Sequence, residues 1–289
     1  KDPADVERVL RLAEGAHVLV ENLRPGGLEK LGLGPDELLA RNPNLVITRV
    51  TGFGQDGPHA GRPGFATIAE AMSGFADING SPDGPPVLPP IALTDELTAV
   101  VAAYATMAAV HAGVGQVVDV SLLDSLFSFM GHNWAAYAAD GTLQPRMGSE
   151  LPYSVPRNAY ETADGRWVAL SASADTVAAR VATMVGLGDD ERLRSFAGRV
   201  AHRAELDAAV AAFIAERTLD EVLTAFDAAD AAVAPIYSMA DVAEDPHFVE
   251  RDATVTVDGI AMPGLLARFS ETPGRIRWAG RDERGRPAG

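Results

Sequence analysis

The sequence predicts an α/β fold: a large domain built on a parallel sheet, joined to a smaller α/β domain. Three observations carry this expectation. Helical and strand patterns alternate from residue 3 to about residue 121, the rhythm of a parallel sheet with crossover helices. Two strand patterns run directly into glycine- and proline-containing loops, ENLRPGG and TGFGQDGP, and such loops at carboxyl ends of strands are where open α/β sheets bind ligands. Near residue 140 the texture changes, and a hairpin signal followed by three helical patterns fills residues 150 to 245.

The elements follow in order. PADVERVLRLAE, residues 3–14, places Val6, Val9, Leu10 and Ala13 at helical spacing before Gly15. AHVLVENL carries a short strand at Val18–Val20. A turn and a short helix opened by Pro35 come next. NLVITRVTGFG, residues 44–54, reads as a second strand that enters the loop 54–64. FATIAEAMSGFADI is helical, and a long alanine-rich helix starts at Asp95 behind the pair Pro89-Pro90. QVVDVS is a third strand, and LLDSLFSFMGHNW a helix. Beyond the loop-like stretch 140–158, NAYETADGRWVALSAS is a hairpin about Ala163-Asp164-Gly165. Helical patterns follow at 174–186, 204–216 and 218–229. The alternating DATVTVDGIAMPG reads as a strand, and the tail with Arg275, Arg277 and Arg281 is expected to return to the first domain. The large domain is thus residues 1–150 with 246–289, and the small domain residues 151–245.

Bulk properties narrow the chemistry. The chain has 289 residues, 47% of them hydrophobic, enough for a sizeable core. A net charge of −16 repels polyphosphate, which argues against nucleic-acid binding, so an anionic ligand needs a local basic spot. The absence of cysteine excludes disulfides, thiolate metal sites and cysteine nucleophiles, and no metal site is expected. The longest apolar stretch, Leu97–Val110, is shorter than the roughly 18 residues of a membrane span. No membrane association and a cytoplasmic location are the expectation. GxxxxGK[ST], HExxH and GxSxG are all missing, and GVGQVV lacks the third glycine of a dinucleotide fingerprint.

Asp95 has two readings. Acids sit well in first turns, which is the ordinary explanation. The same position also keeps a carboxylate anionic, and an ionised carboxylate in a dry site is a nucleophile toward an activated acyl carbon. Its neighbour Glu96 reads as solvent-facing. Arg24 and Lys30 put cations beside a strand-end loop, with Asn22 in the same stretch, and Arg62 has the same standing in GPHAGRPGF. Each also fits an ordinary solvated loop. His132 in FMGHNW fits a structural or capping role.

Taken together, HVLVENLRPGGLEKLGLGPDELLARNPNLVITRVTGFGQDGPHAGRPGF, then PIALTD, GVGQVVDVSLLDSL, YETADGRWVAL and APIYSMADVAEDPHFVERD resemble the class III coenzyme A-transferases, in order along the whole chain. The resemblance implies a Rossmann-like large domain, a smaller domain and an interlocked homodimer. It implies that acyl-CoA and a small carboxylic acid are the substrates, and that Asp95 is the catalytic carboxylate passing through a covalent aspartyl intermediate. Coenzyme A would lie along Asn22, Arg24, Lys30 and Leu31, with the loop carrying Gly54 and Arg62 close by. Gly148 would supply a backbone N–H to an oxyanion.

The chain departs from the family pattern in three places. A βα unit usually precedes the helix seen here at residue 3, so an N-terminally truncated chain is expected. Many members carry an acid where this chain has Ala66, and often a glycine just after the aspartate, where it reads Glu96-Leu97-Thr98-Ala99. Two alternative readings follow from the shared fold. The α-methylacyl-CoA racemases tend to show Gly-His-Asp where this chain has Gly64-Phe65-Ala66, and the missing histidine argues against that chemistry. A non-catalytic acyl-CoA-binding relative is the other.

Overall fold

The computed structural model describes residues 2–280. The chain divides into two compact units, residues 1–149 and 150–289.

In the first unit α1, Pro3–Glu14, opens with Pro3 in its first turn and an Asp2 side chain that accepts from the Ala4 N–H. β1, Val18–Glu21, leads through a 3-10 turn at Glu29–Leu31 to α2, Pro35–Arg41, and then β2, Val46–Thr51. The helical stretch expected over 65–78 is two pieces, α3 (Ala66–Met72) and α4 (Phe75–Ile78), because Gly74 turns the chain with a positive φ of 89°. The long helix α5 spans Leu93–Ala112 and ends at left-handed Gly113. β3, Gln116–Ser121, is followed by α6 (Leu122–Ser128) and α7 (Gly131–Asp140), which divide at Phe129 and Met130, where the chain tightens into i→i+3 hydrogen bonds.

The three strands form a parallel sheet in the order β1-β2-β3, with Val20 beside Thr48 and Thr48 beside Val118. Alternate residues face opposite sides. Ile47 joins Leu10, Ala13, Leu28, Leu33, Leu38 and Leu45 in the core beneath α1 and α2. Thr48 faces the other way, toward α5, and bonds Thr106. By length and composition alone α5 is apolar enough to span a membrane. In the fold it packs on β2, β3, α3 and α6 through a narrow stripe of Thr94, Thr98, Ala102, Thr106 and Ala109. Small side chains at that spacing let helix and sheet approach closely, and Thr98 and Thr106 satisfy their hydroxyls on the Thr94 and Ala102 carbonyls.

The second unit is built on an antiparallel sheet of β4 (Arg157–Glu161), β5 (Trp167–Ser171) and β6 (Val233–Pro235). The expected hairpin is present, with Gly165 at φ 73° closing the turn. Four helices follow β5: α8 (Asp175–Met184), α9 (Phe196–Ala201), α10 (Arg203–Ala215) and α11 (Leu219–Ala228). Val168, Leu206, Val210, Ile214, Val222 and Phe226 are wholly buried in this core, each contributing about 1.5–3 kcal/mol. After β6 come α12 (Met239–Glu244) and α13 (Pro246–Glu250).

Residues 246–280 fall within the second compact unit, whereas the sequence reading assigns 246–289 to the large domain. The stretch 253–264 is a hairpin, β7 (Thr254–Val257) with β8 (Ile260–Pro263), so its strands pair with each other and need no foreign sheet edge. Arg281 lies outside the described residues.

Candidate active site

The cavity that brings the expected residues together lies in the first unit, on the face of the sheet that carries α5. Its volume is about 1040 Å³. The floor is the α5-facing side of the sheet, Val20, Thr48 and Val50, where one side chain in two points the same way. One wall is the helix face Thr98, Ala99, Ala102, Ala103, Thr106 and Met107. The rim is two loops, with Asn22, Leu23, Arg24 and Pro25 after β1, and Arg62, Gly64 and Phe65 before α3. Asp95 stands at the mouth.

Asp95 is the third residue of α5, not its cap. The N-cap is Ala92, which has no side-chain oxygen to offer, so the helix begins two residues earlier than the sequence suggests. Asp95 is exposed, and among the described residues no hydrogen bond or ion pair holds its carboxylate. Glu96 is also exposed but does not line the cavity. Just behind Asp95, the hydroxyl of buried Thr94 donates to buried Glu70 at 2.9 Å, which ties the start of α5 to α3.

The loop after β1 is shaped by its backbone. Arg24-Pro25-Gly26-Gly27 closes with the Gly27 N–H on the Arg24 carbonyl at 2.8 Å, and Gly26 adopts φ 80°, the geometry of a type II turn with proline then glycine at its centre. Arg24 and Asn22 are exposed on the rim. Lys30 and Leu31 sit on the 3-10 turn outside the cavity lining; Lys30 is exposed, and Leu31 packs against the core beneath α1 and α2.

The second loop is anchored where it leaves β2. Gly54 gives its N–H to Thr51 Oγ1 at 3.0 Å and Gln55 gives its N–H to Asp119 Oδ2 at 2.8 Å. Gly54 therefore shapes the turn and does not line the cavity. Arg62 reaches it, beside His59 at 3.2 Å. Ala66 begins α3 and lines the cavity, with no carboxylate there to oppose Asp95.

Gly148 lies elsewhere. Its φ is 61° and its N–H is given to the Gly80 carbonyl at 2.9 Å, so that donor is already engaged and lies outside the cavity lining. His132 is exposed at the start of α7 and is not part of the lining. Among the described residues no cluster of three or more His, Asp or Glu is placed to hold a metal ion.

Sequence reasoning missed the apolar and threonine lining. Its signal was present: a period of two from Thr48 to Val50 in β2, and a period of four in Thr98, Ala102 and Thr106.

A family model described as CoA-transferase family III matches residues 1–282. The chain belongs to that family. It is 37% identical over 292 residues to the succinyl-CoA–D-citramalate CoA-transferase of Chloroflexus aurantiacus, covering 97% of this chain and 73% of that protein. It is 36% identical to the succinyl-CoA–L-malate CoA-transferase beta subunit of the same organism, over 91% of this chain and 69% of that one. A CAIB/BAIF family protein from Brucella suis has the same mixed α/β fold, with a TM-score of 0.79 at 30% identity over 94% of this chain and 73% of that structure. As a family III CoA-transferase, the chain moves coenzyme A between acyl-CoA and carboxylic acids.

Proposed function

We propose that this CoA-transferase works through a covalent intermediate on Asp95, with a succinyl-CoA-like donor and a short dicarboxylic acid as acceptor. The observation that carries the reading is one cavity lined by Asp95, Asn22, Arg24 and Arg62. A carboxylate and two guanidinium groups around an apolar floor suit a thioester whose far end carries phosphates. The substrate class follows the names of the relatives, which are succinyl-CoA transferases to citramalate and malate.

The steps balance without a proton or redox partner. An Asp95 oxygen attacks the donor thioester carbon, the C–S bond breaks, and a mixed anhydride and CoA thiolate result. The thiolate attacks the aspartyl carbonyl, the donor carboxylate leaves, and an enzyme thioester remains. The acceptor carboxylate attacks that thioester and again releases thiolate, which takes the acceptor acyl group and frees Asp95. Splitting one hard exchange into four acyl transfers is the gain of covalent catalysis. Anhydrides hydrolyse, so water must be kept from the cavity once substrate is bound. Asp95 is exposed in the single chain, and a homodimer in which a second subunit covers the mouth would meet that need.

Asp95→Asn tests the reading. Exchange should fall by at least about a thousandfold, the order lost when a covalent nucleophile is removed, and the intact-mass adduct seen with acyl-CoA should vanish. Free coenzyme A should still bind. An Asp95→Asn variant with full exchange activity ends the proposal.

A further inference from the structure

Arg49 is a lone charge inside the apolar run of β2, and it is 5% exposed. It sits beside Glu21 in the register of the parallel sheet. Its neighbour Thr48 faces the cavity, so Arg49 points to the opposite side of the sheet and does not line the site. Its Nε donates to Glu21 Oε1 at 2.6 Å. Its two terminal nitrogens donate to the two oxygens of Glu29 at 2.9 and 3.3 Å. The other oxygen of Glu21 accepts the Leu23 N–H at 2.6 Å.

One guanidinium therefore grips the chain at residue 21 and again at residue 29. Between those two points lie Asn22, Leu23, Arg24 and Pro25, the residues that form one rim of the cavity. A planar fork can span two carboxylates in fixed directions, which a point charge on a flexible stem does not do. A loop held at both ends is ordered before its ligand arrives, and affinity gains from that prior ordering.

We infer that Arg49 is a positioning residue. Acting through Glu21 and Glu29, it sets the conformation of residues 22–25 and with it the grip on the phosphate-bearing part of acyl-CoA, while touching no substrate atom. The inference rests on the proposal that this cavity holds coenzyme A.

Glu29→Gln and Arg49→Lys test it. Glu29 is the outer, partly exposed partner, so its replacement leaves the Glu21–Arg49 pair intact and the fold in place. Coenzyme A itself is titrated calorimetrically, and turnover is followed with succinyl-CoA and with succinyl-pantetheine, which lacks the nucleotide and its phosphates. Both variants should raise the Kd for coenzyme A and the KM for succinyl-CoA by about five- to tenfold, with kcat within about twofold of the parent. The KM for succinyl-pantetheine should not move. Folded variants that bind coenzyme A as the parent does overturn the inference while leaving the functional reading intact. Equal losses on both thioesters also overturn it, because they mark general damage. A parent protein that binds no coenzyme A removes the functional reading first, a result distinct from either.

Discussion

The backbones of Gly52 and Gly64 touch: a Cβ built on Gly52 would lie 2.7 Å from the Cα of Gly64, and one on Gly64 would lie 2.9 Å from the Cα of Gly52. This contact closes the loop 53–63 at its neck, so that Arg62 and Phe65 return to the cavity beside β2. Replacing Gly52 with Ala should cost about 1–3 kcal/mol, the usual penalty of overpacking, and should displace Arg62. Thermal unfolding reads the first effect and the KM for acyl-CoA the second. A Gly52→Ala protein unchanged in both would show that the neck yields freely.

The buried hydroxyls of Thr48 and Thr106 lie 2.6 Å apart. Thr106 spends its own proton on the Ala102 carbonyl, so Thr48 is the donor across the sheet–helix boundary. Thr106→Val leaves the Thr48 hydroxyl without its acceptor and should cost about 1–3 kcal/mol, whereas the double change to valine should be nearly neutral. A denaturant double-mutant cycle measures the difference. Simple addition of the two single effects would contradict the pairing.

In the second unit Arg199 is 1% exposed. It donates to the carbonyls of Val155 at 3.0 Å and Leu193 at 3.3 Å, and its outer nitrogen pairs with Asp175. Arg199→Met removes the donors and leaves two carbonyls in a dry interior, at roughly 3 kcal/mol. The denaturant midpoint should fall without a change in slope.

Glu29 links the site to pH. Its hydrogen bonds to the Arg49 guanidinium hold its carboxyl below the ordinary value of 4.5. The folded value is depressed, so the stabilisation is complete above 4.5 and is lost as pH falls through the lower folded value. Coenzyme A affinity is a property of the folded chain, so it should hold through pH 4.5 and weaken only as pH falls through the lower folded value at which Glu29 takes up its proton, and part of that loss should disappear in Glu29→Gln. Titrations across that range compare the two proteins.

Much of this architecture is legible in the chain. The alternation of Leu19, Ile47 and Leu45 with Val20 and Thr48 encodes a sheet with two different faces, and the register follows once the strands align. Asn22, Arg24, Arg62 and Asp95 were visible as charged or amide residues at strand ends and at a helix start, and the fold gathers all four. Lys30, Leu31, Gly54 and Gly148 were drawn from the same kind of signal and fall outside the lining, because neighbourhood in sequence does not say which way a turn presents its residues. The roles of Glu21, Glu29 and Arg49 were not legible at all. They depend on two strands pairing in register and on a turn folding back, which no local pattern carries. The true start of α5 was missed for a related reason: the helix begins at Leu93, behind a residue with no capping group, and the eye is drawn to the acid.

The helix whose first turn carries Asp95 is also the wall of the cavity, through Ala99, Ala103 and Met107. With Asp95 as the proposed nucleophile, breadth of substrate and its aim are mechanically coupled. Enlarging a wall alanine pushes the whole rod, and a rod moves at its tip. Laboratory selection for bulkier acids will find its useful changes in Val20, Leu23 or Phe65, which belong to other elements, sooner than along α5.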